Sequence, residues 1–105
     1  LDSLTIKQDV NTAYTLVLSD AHKLVTLNNG ASITVTVPLE ATVAFVIGDQ
    51  INLLQLGLGQ VTVAGAGGVN VRSQGPKLKL NGQYAAATLI KIAANEWVLI
   101  GNTAA

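Results

Sequence analysis

The sequence has no cysteine and no methionine, two prolines, one histidine and four aromatic residues, and only 11% of its 105 residues are charged. Without cysteine it has no disulfide, no thiolate metal ligand and no thiol nucleophile, and it suits either redox compartment. Six basic residues balance six acidic ones, for a formal net charge of zero, and no stretch clusters Lys and Arg. Nucleic acid is therefore not an expected partner, because nothing here builds the basic surface that phosphates require. Long-range steering of a charged substrate is equally unsupported. Charges and amides interrupt every apolar run before it reaches bilayer-spanning length, so no membrane insertion is expected. The opening "LDSLTIKQDV" lacks an initiator Met, a basic n-region and an apolar h-region. It does not read as a signal peptide, and it resembles the cut edge of a longer polypeptide.

What is present is apolar. Half of the residues are hydrophobic, whereas a typical soluble domain is about 25% charged. One small domain has too much surface for its volume to hide that much apolar material alone. Burial against further copies of the chain is the expected remedy.

Strand signals dominate the chain. "SITVTVP" alternates Ile33, Val35 and Val37 with Thr34 and Thr36 before Pro38, the period-two pattern of a half-buried strand. Val61 and Val63, Val69 and Val71, and Leu78 and Leu80 repeat the pattern in short runs bounded by Gly, Pro, Asn or Ser. Less regular strands are expected at Tyr14–Leu18, Leu24–Leu27, Val43–Gly48 and Ile51–Gly57. A hairpin is expected with arms Leu89–Ile92 and Trp97–Ile100, turning at Ala94–Asn95–Glu96. "QYAAATLIKIA" contains good helix formers but no capping box, and strand is preferred. Residues 1–13 are expected to be a linker or N-terminal arm, and residues 14–105 one β module. The fold class is all-β: a small antiparallel β-sandwich or barrel, jelly-roll-like. No sequence repeat at solenoid spacing is visible.

Chemical motifs are scarce. In "GLGQVT" the third glycine of a dinucleotide fingerprint is replaced by Thr62, and a strand follows where a helix is needed. No P-loop sequence occurs, so Gly65, Gly67 and Gly68 are read as a turn or sharp corner. His22, in "SDAHK", has Asp20 as its nearest partner and reads as part of a polar turn in which Asp20 bonds its own backbone. The acids Asp2, Asp9, Asp20, Glu40, Asp49 and Glu96 are scattered, mostly in turn contexts, and no G-x-S-x-G elbow is present. No enzyme activity, cofactor or metal is expected. Tyr84 and Trp97 are the candidate ligand-binding residues, as rings on which a sugar could stack; for Trp97 a core or subunit-interface position on the final strand is the preferred reading.

Between Val37 and Asn102 stand Pro38, Phe45, Ile47, Gly48, Ile51, Gln55, Gly57, Gly59, Val61 to Val63, Gly82, Tyr84, Asn95, Trp97 and Gly101. In this pattern the segment resembles a small β-rich module near the C-terminal ends of tailed-bacteriophage tail fibres, tail spikes and capsid fibres or decorations. Upstream, "YTLVLSDAHKLVTLNN" is similar to the module's opening pair of strands, with His22 where a small turn residue is expected. The resemblance implies a structural virion protein, assembled in a bacterial cytoplasm and working on the extracellular particle. It implies a homotrimer packed along apolar strand faces, with other virion proteins as partners and a host-surface glycan or protein as a target. A lectin-like glycan-binding module is the alternative reading.

Overall fold

The computed structural model describes residues 3–105; Leu1 and Asp2, which begin the expected arm, lie outside the described residues. Eleven strands among the described residues form two mixed sheets. They are β1 (Ile6–Asp9), β2 (Ala13–Thr15), β3 (Leu24–Leu27), β4 (Ile33–Val37), β5 (Gln50–Gln55), β6 (Val61–Gly65), β7 (Asn70–Arg72), β8 (Lys79–Leu80), β9 (Ala86–Ala93), β10 (Glu96–Gly101) and β11 (Thr103–Ala104). One sheet has the order β1-β3-β5-β9-β10-β7 and the other β11-β8-β6-β4-β2. A single 3-10 turn, Leu18–Asp20, interrupts the strands.

The all-β class is as expected, but the strand pairing is not purely antiparallel. The first six strands alternate between the sheets, so that β1, β3 and β5 run parallel in one and β2, β4 and β6 run parallel in the other. The chain thus winds three times around a common interior. Leu24 lies opposite Asn52 and Ile33 opposite Val61, so the last two windings are offset by the same 28 residues in both sheets. The cause is in the connections. Residues 28–32 and 56–60 carry the chain from one sheet to the other instead of folding it back as a hairpin, and the next strand of the same sheet returns parallel. Antiparallel pairing is confined to the second half, where β9 joins β5 to β10 and β8 joins β6 to β11.

The 28–31 and 56–60 corners stack closely. A Cβ on Gly57 would come 2.5 Å from the Asn29 carbonyl, and one on Gly59 would overlap the Ala31 carbonyl. The two glycines of "GLG" are there for this approach. Inside the third corner Gln55, fully buried, donates to the Gly57 carbonyl at 3.1 Å and accepts from the Val61 N–H at 3.1 Å. It satisfies backbone groups that the change of sheet removes from the ladders.

One hydrophobic core takes side chains from both sheets: Val25, Leu27, Ile51, Leu53, Leu89 and Trp97 from the first, and Ile33, Val35, Val37, Val61, Val63 and Leu80 from the second. Each strand contributes alternate residues, as the pleat requires. The expected Val43–Gly48 strand is not formed. Its backbone groups are taken elsewhere: the Val46 N–H by Asp49, the Phe45 carbonyl by Lys91, and the Val43 N–H by the Leu39 carbonyl. Tyr14–Leu18 is strand only to Thr15, because the Asp20 carboxylate draws the Val17 N–H into the 3-10 turn. The 94–96 hairpin forms with a bulge between Glu96 and Trp97, and Asn95 has φ 53°, the left-handed residue such a turn uses. The Gly65–Gly68 run is a corner: β6 and β7, on either side of it, belong to different sheets. Within the segment expected as an arm, residues 6–9 form the edge strand β1.

Candidate functional site

The two candidate binding rings are far apart and differently placed. Trp97 lies on the inward side of β10, 1% exposed, with its ring edge-to-face to Phe45 at 5.2 Å and 88°. Neither face is open to a sugar, so the stacking expectation for Trp97 is corrected: it is a core residue. Tyr84 is 69% exposed. Trp97 pairs with Lys91 towards the far end of β9 from Tyr84, roughly 23 Å away along the strand.

The other polar positions act as braces. His22 meets Asp49, not Asp20: its Nε2 lies 3.1 Å from Asp49 Oδ1 at the surface, while its N–H donates to the Gln50 carbonyl at 2.6 Å. Asp20 is not a solvated turn acid but wholly buried. Its Oδ2 accepts from the Tyr14 hydroxyl at 2.6 Å and the Val17 N–H at 2.9 Å. Its Oδ1 lies 3.1 Å from the Lys7 ammonium, an ion pair without hydrogen-bond alignment. The Tyr14 hydroxyl, aided by Asp20 and opposed by desolvation, holds Lys7 above the ordinary lysine range. Burial, reinforced by the bond to Asp20 and opposed by Lys7, pushes Tyr14 above its usual value. The trio joins β1 and β2 to the 3-10 turn, and a phenol held protonated makes a poor nucleophile.

Sequence reading missed Lys91. It is 2% exposed, and its Nζ donates to Glu40 Oε1 and the Phe45 carbonyl, each at 2.5 Å. The Glu40 N–H in turn donates to Asn95 Oδ1 at 2.8 Å. These bonds strap residues 39–48 across the end of the first sheet. Period-two reading held the signal, because Ala87, Leu89 and Lys91 share one face of β9, as Ile51, Leu53 and Gln55 share one face of β5. Among the described acids every carboxylate has its own cation, amide or hydroxyl partner: Asp9 accepts from the Asn11 N–H, Asp49 from the Val46 N–H and Glu96 from Arg72.

Two surfaces are left. The outward side of the six-stranded sheet carries Leu24, Asn52, Leu54, Thr88, Ile90, Val98 and Ile100 in registered rows, with Ile6 at one edge and Thr26 in the same row but buried beside β1. Across β3, β5, β9 and β10 no ionisable side chain lies on this side short of Glu96, whose partner is Arg72 on edge strand β7. At its β10 side the face runs into a half-open groove of about 360 Å³ lined by Ser73, Gln74, Lys77, Val98, Ile100 and Thr103. The second surface is the end of the molecule where the corners stack. There Tyr84 and Leu58 stand exposed, and Gln83 bonds the Leu56 carbonyl at 3.1 Å.

Comparison with known proteins returned no match: no family model, curated protein or solved structure aligns significantly with the chain.

Proposed function

We propose that this chain is a structural module of a bacteriophage virion appendage, a tail fibre, spike or capsid fibre, that assembles as a homotrimer through the outward face of its six-stranded sheet. The observation that carries the reading is the composition of that face. Leu24, Leu54, Ile90, Val98 and Ile100 stand outside the core cluster, on a surface whose one charge over four adjacent strands, Glu96 at the end of β10, is paired with Arg72. Six strands of this length present roughly 500 Å² of sheet. That is the size of the largest apolar patch on a typical monomer, roughly 300–600 Å² and often functional, and it supplies more than half of the roughly 800 Å² per partner of a standard interface. A neutral face meets its own copy without like-charge repulsion, whereas a charged partner would leave its charges unpaired. Three sheets facing a common axis would bury the surplus hydrophobicity seen in the sequence, with a sandwich of the two mixed sheets in each subunit. The threefold symmetry comes from the resemblance to phage modules, as does the virion as the place of work.

The outer corners of such a trimer remain free for weak, multivalent contact with a host surface. The lectin-like reading is favoured by one observation, the exposed Tyr84 ring. Light scattering after size exclusion tests the assembly. The expected mass is three times the 10.8 kDa of the chain, and Ile90→Glu, with a charge at the centre of the face, shifts it to one. A wild-type monomer at micromolar concentration overturns the proposal.

A further inference from the structure

We infer that the stacked-corner end around Tyr84 is a binding site for a neutral saccharide; this rests on the attachment role proposed above and gives it a place. The first observation is conformational. Tyr84 has φ 68°, in the left-handed region where Gly or Asn costs least and a bulky ring is out of place. The backbone is fixed there from both sides, since the Tyr84 N–H donates to the Gln55 carbonyl at 2.6 Å and the Ala85 N–H to the Gly82 carbonyl at 3.0 Å. The ring is therefore projected from a backbone already fixed by its hydrogen bonds, and no backbone freedom need be lost on binding. A large residue kept at a strained position with no packing in return is better explained by something it contacts outside the chain.

The second observation is the company it keeps. Leu58, 77% exposed, sits at the tip of the adjoining corner, between the two glycines that must stay close to Asn29 and Ala31. That corner cannot relax to hide it. Gln83 ties the two corners together through Leu56, and its carbonyl oxygen is left without a partner among the described residues, as is the Asn28 side chain. Corner residues 28–31, 56–60 and 81–85 contain no Asp, Glu, Lys, Arg or His. The nearest acid, Asp9, is engaged with the Asn11 N–H.

An exposed ring and an aliphatic tip beside free amides match a hexose, which offers an apolar C–H face edged by hydroxyls. None of these corner residues is a cation, and the nearest lysine along the chain, Lys79, stands back on β8 opposite Thr62, which disfavours sialylated or sulfated glycans and, for the same reason, nucleic acid.

The test is an amide-resolved NMR titration of the whole chain with maltotriose, diacetylchitobiose and 3′-sialyllactose, on wild type and Tyr84→Asn, with the mass of each sample measured alongside. We expect saturable shifts at Asn28, Leu58, Gln83 and Tyr84 with at least one neutral sugar. In Tyr84→Asn the affinity falls about tenfold or more, the loss of one stacking contact, while the unfolding midpoint stays or rises and the mass is unchanged. No saturable shift with either neutral sugar, shifts confined to other regions, binding of sialyllactose alone, or unaltered binding by Tyr84→Asn each overturns the inference. The corner residues lie beyond the strand ends, outside the registered rows of the assembly face. A trimer that binds no sugar refutes this site alone, and a monomer that binds refutes the assembly alone.

Discussion

Tyr14→Phe deletes a hydroxyl that donates to Asp20 Oδ2 at 2.6 Å and leaves the ring in place, with the Lys7 ammonium 5.0 Å from its centroid. The buried carboxylate keeps the Val17 N–H and the Lys7 ion pair, so it is not stranded. The change removes one hydrogen bond to a charged acceptor, worth about 1.5–3 kcal/mol. Because Tyr14 is only half-buried, the lower part of that range is expected. A pH effect follows. Lys7 and Tyr14 both bind their protons more tightly in the folded chain than at their ordinary values of 10.5 and 10.0. The stability they contribute is complete below about pH 10 and is lost as pH rises through the raised folded values. The variant lacks the Tyr14 titration and the largest cause of the Lys7 shift, so its alkaline decline is shallower. Urea unfolding at pH 7 and in steps from 9 to about 11.5, at one fixed protein concentration because association adds to stability, measures both effects. A loss under about 0.3 kcal/mol at pH 7, or superimposable alkaline declines, refutes the reasoning.

Gly59→Ala drives a methyl into the Ala31 carbonyl and is expected to cost about 3 kcal/mol or more. Gly67→Ala meets nothing within 4 Å and is expected to be neutral or stabilising by up to about 1 kcal/mol. Equal thermal midpoints for the two variants contradict the stacked-corner account. Glu40→Gln keeps an acceptor for Lys91 and costs about 1 kcal/mol. Lys91→Met leaves the Phe45 carbonyl unpaired under the 39–48 strap and costs about 2–3 kcal/mol. Chemical denaturation ranks them, and the reverse order refutes the strap.

Alternation made β4 and β6 readable, because a half-buried strand must place apolar residues at every second position and these segments do so at their centres, while β9 and β10, whose alternation is less regular, were legible as the arms of a hairpin about 94–96. The 43–48 segment misled for the converse reason. It is apolar enough for a strand, but Lys91, Asp49 and Leu39 reach its backbone from distant parts of the chain, and no local pattern records a partner so far away in sequence. Tyr84 was singled out as one of few aromatics on which a sugar could stack, and Trp97 as one beside the polar Asn95 and Glu96. Residue type was legible for both, but exposure was not, since Trp97 points inward only once the bulge at Glu96 has set the register of β10.

The sequence alone determined that the chain is β-structured, carries too little charge for its apolar content and turns at its glycines, because those properties follow from local sterics and from transfer of side chains out of water. The folded structure decided which way the strands run, that Asp20 and Lys91 are interior, and that one sheet face and one row of corners remain uncovered. Those outcomes depend on which corner stacks on which, a choice made by contacts between residues 28 positions apart, and alternation within any one strand carries no trace of it.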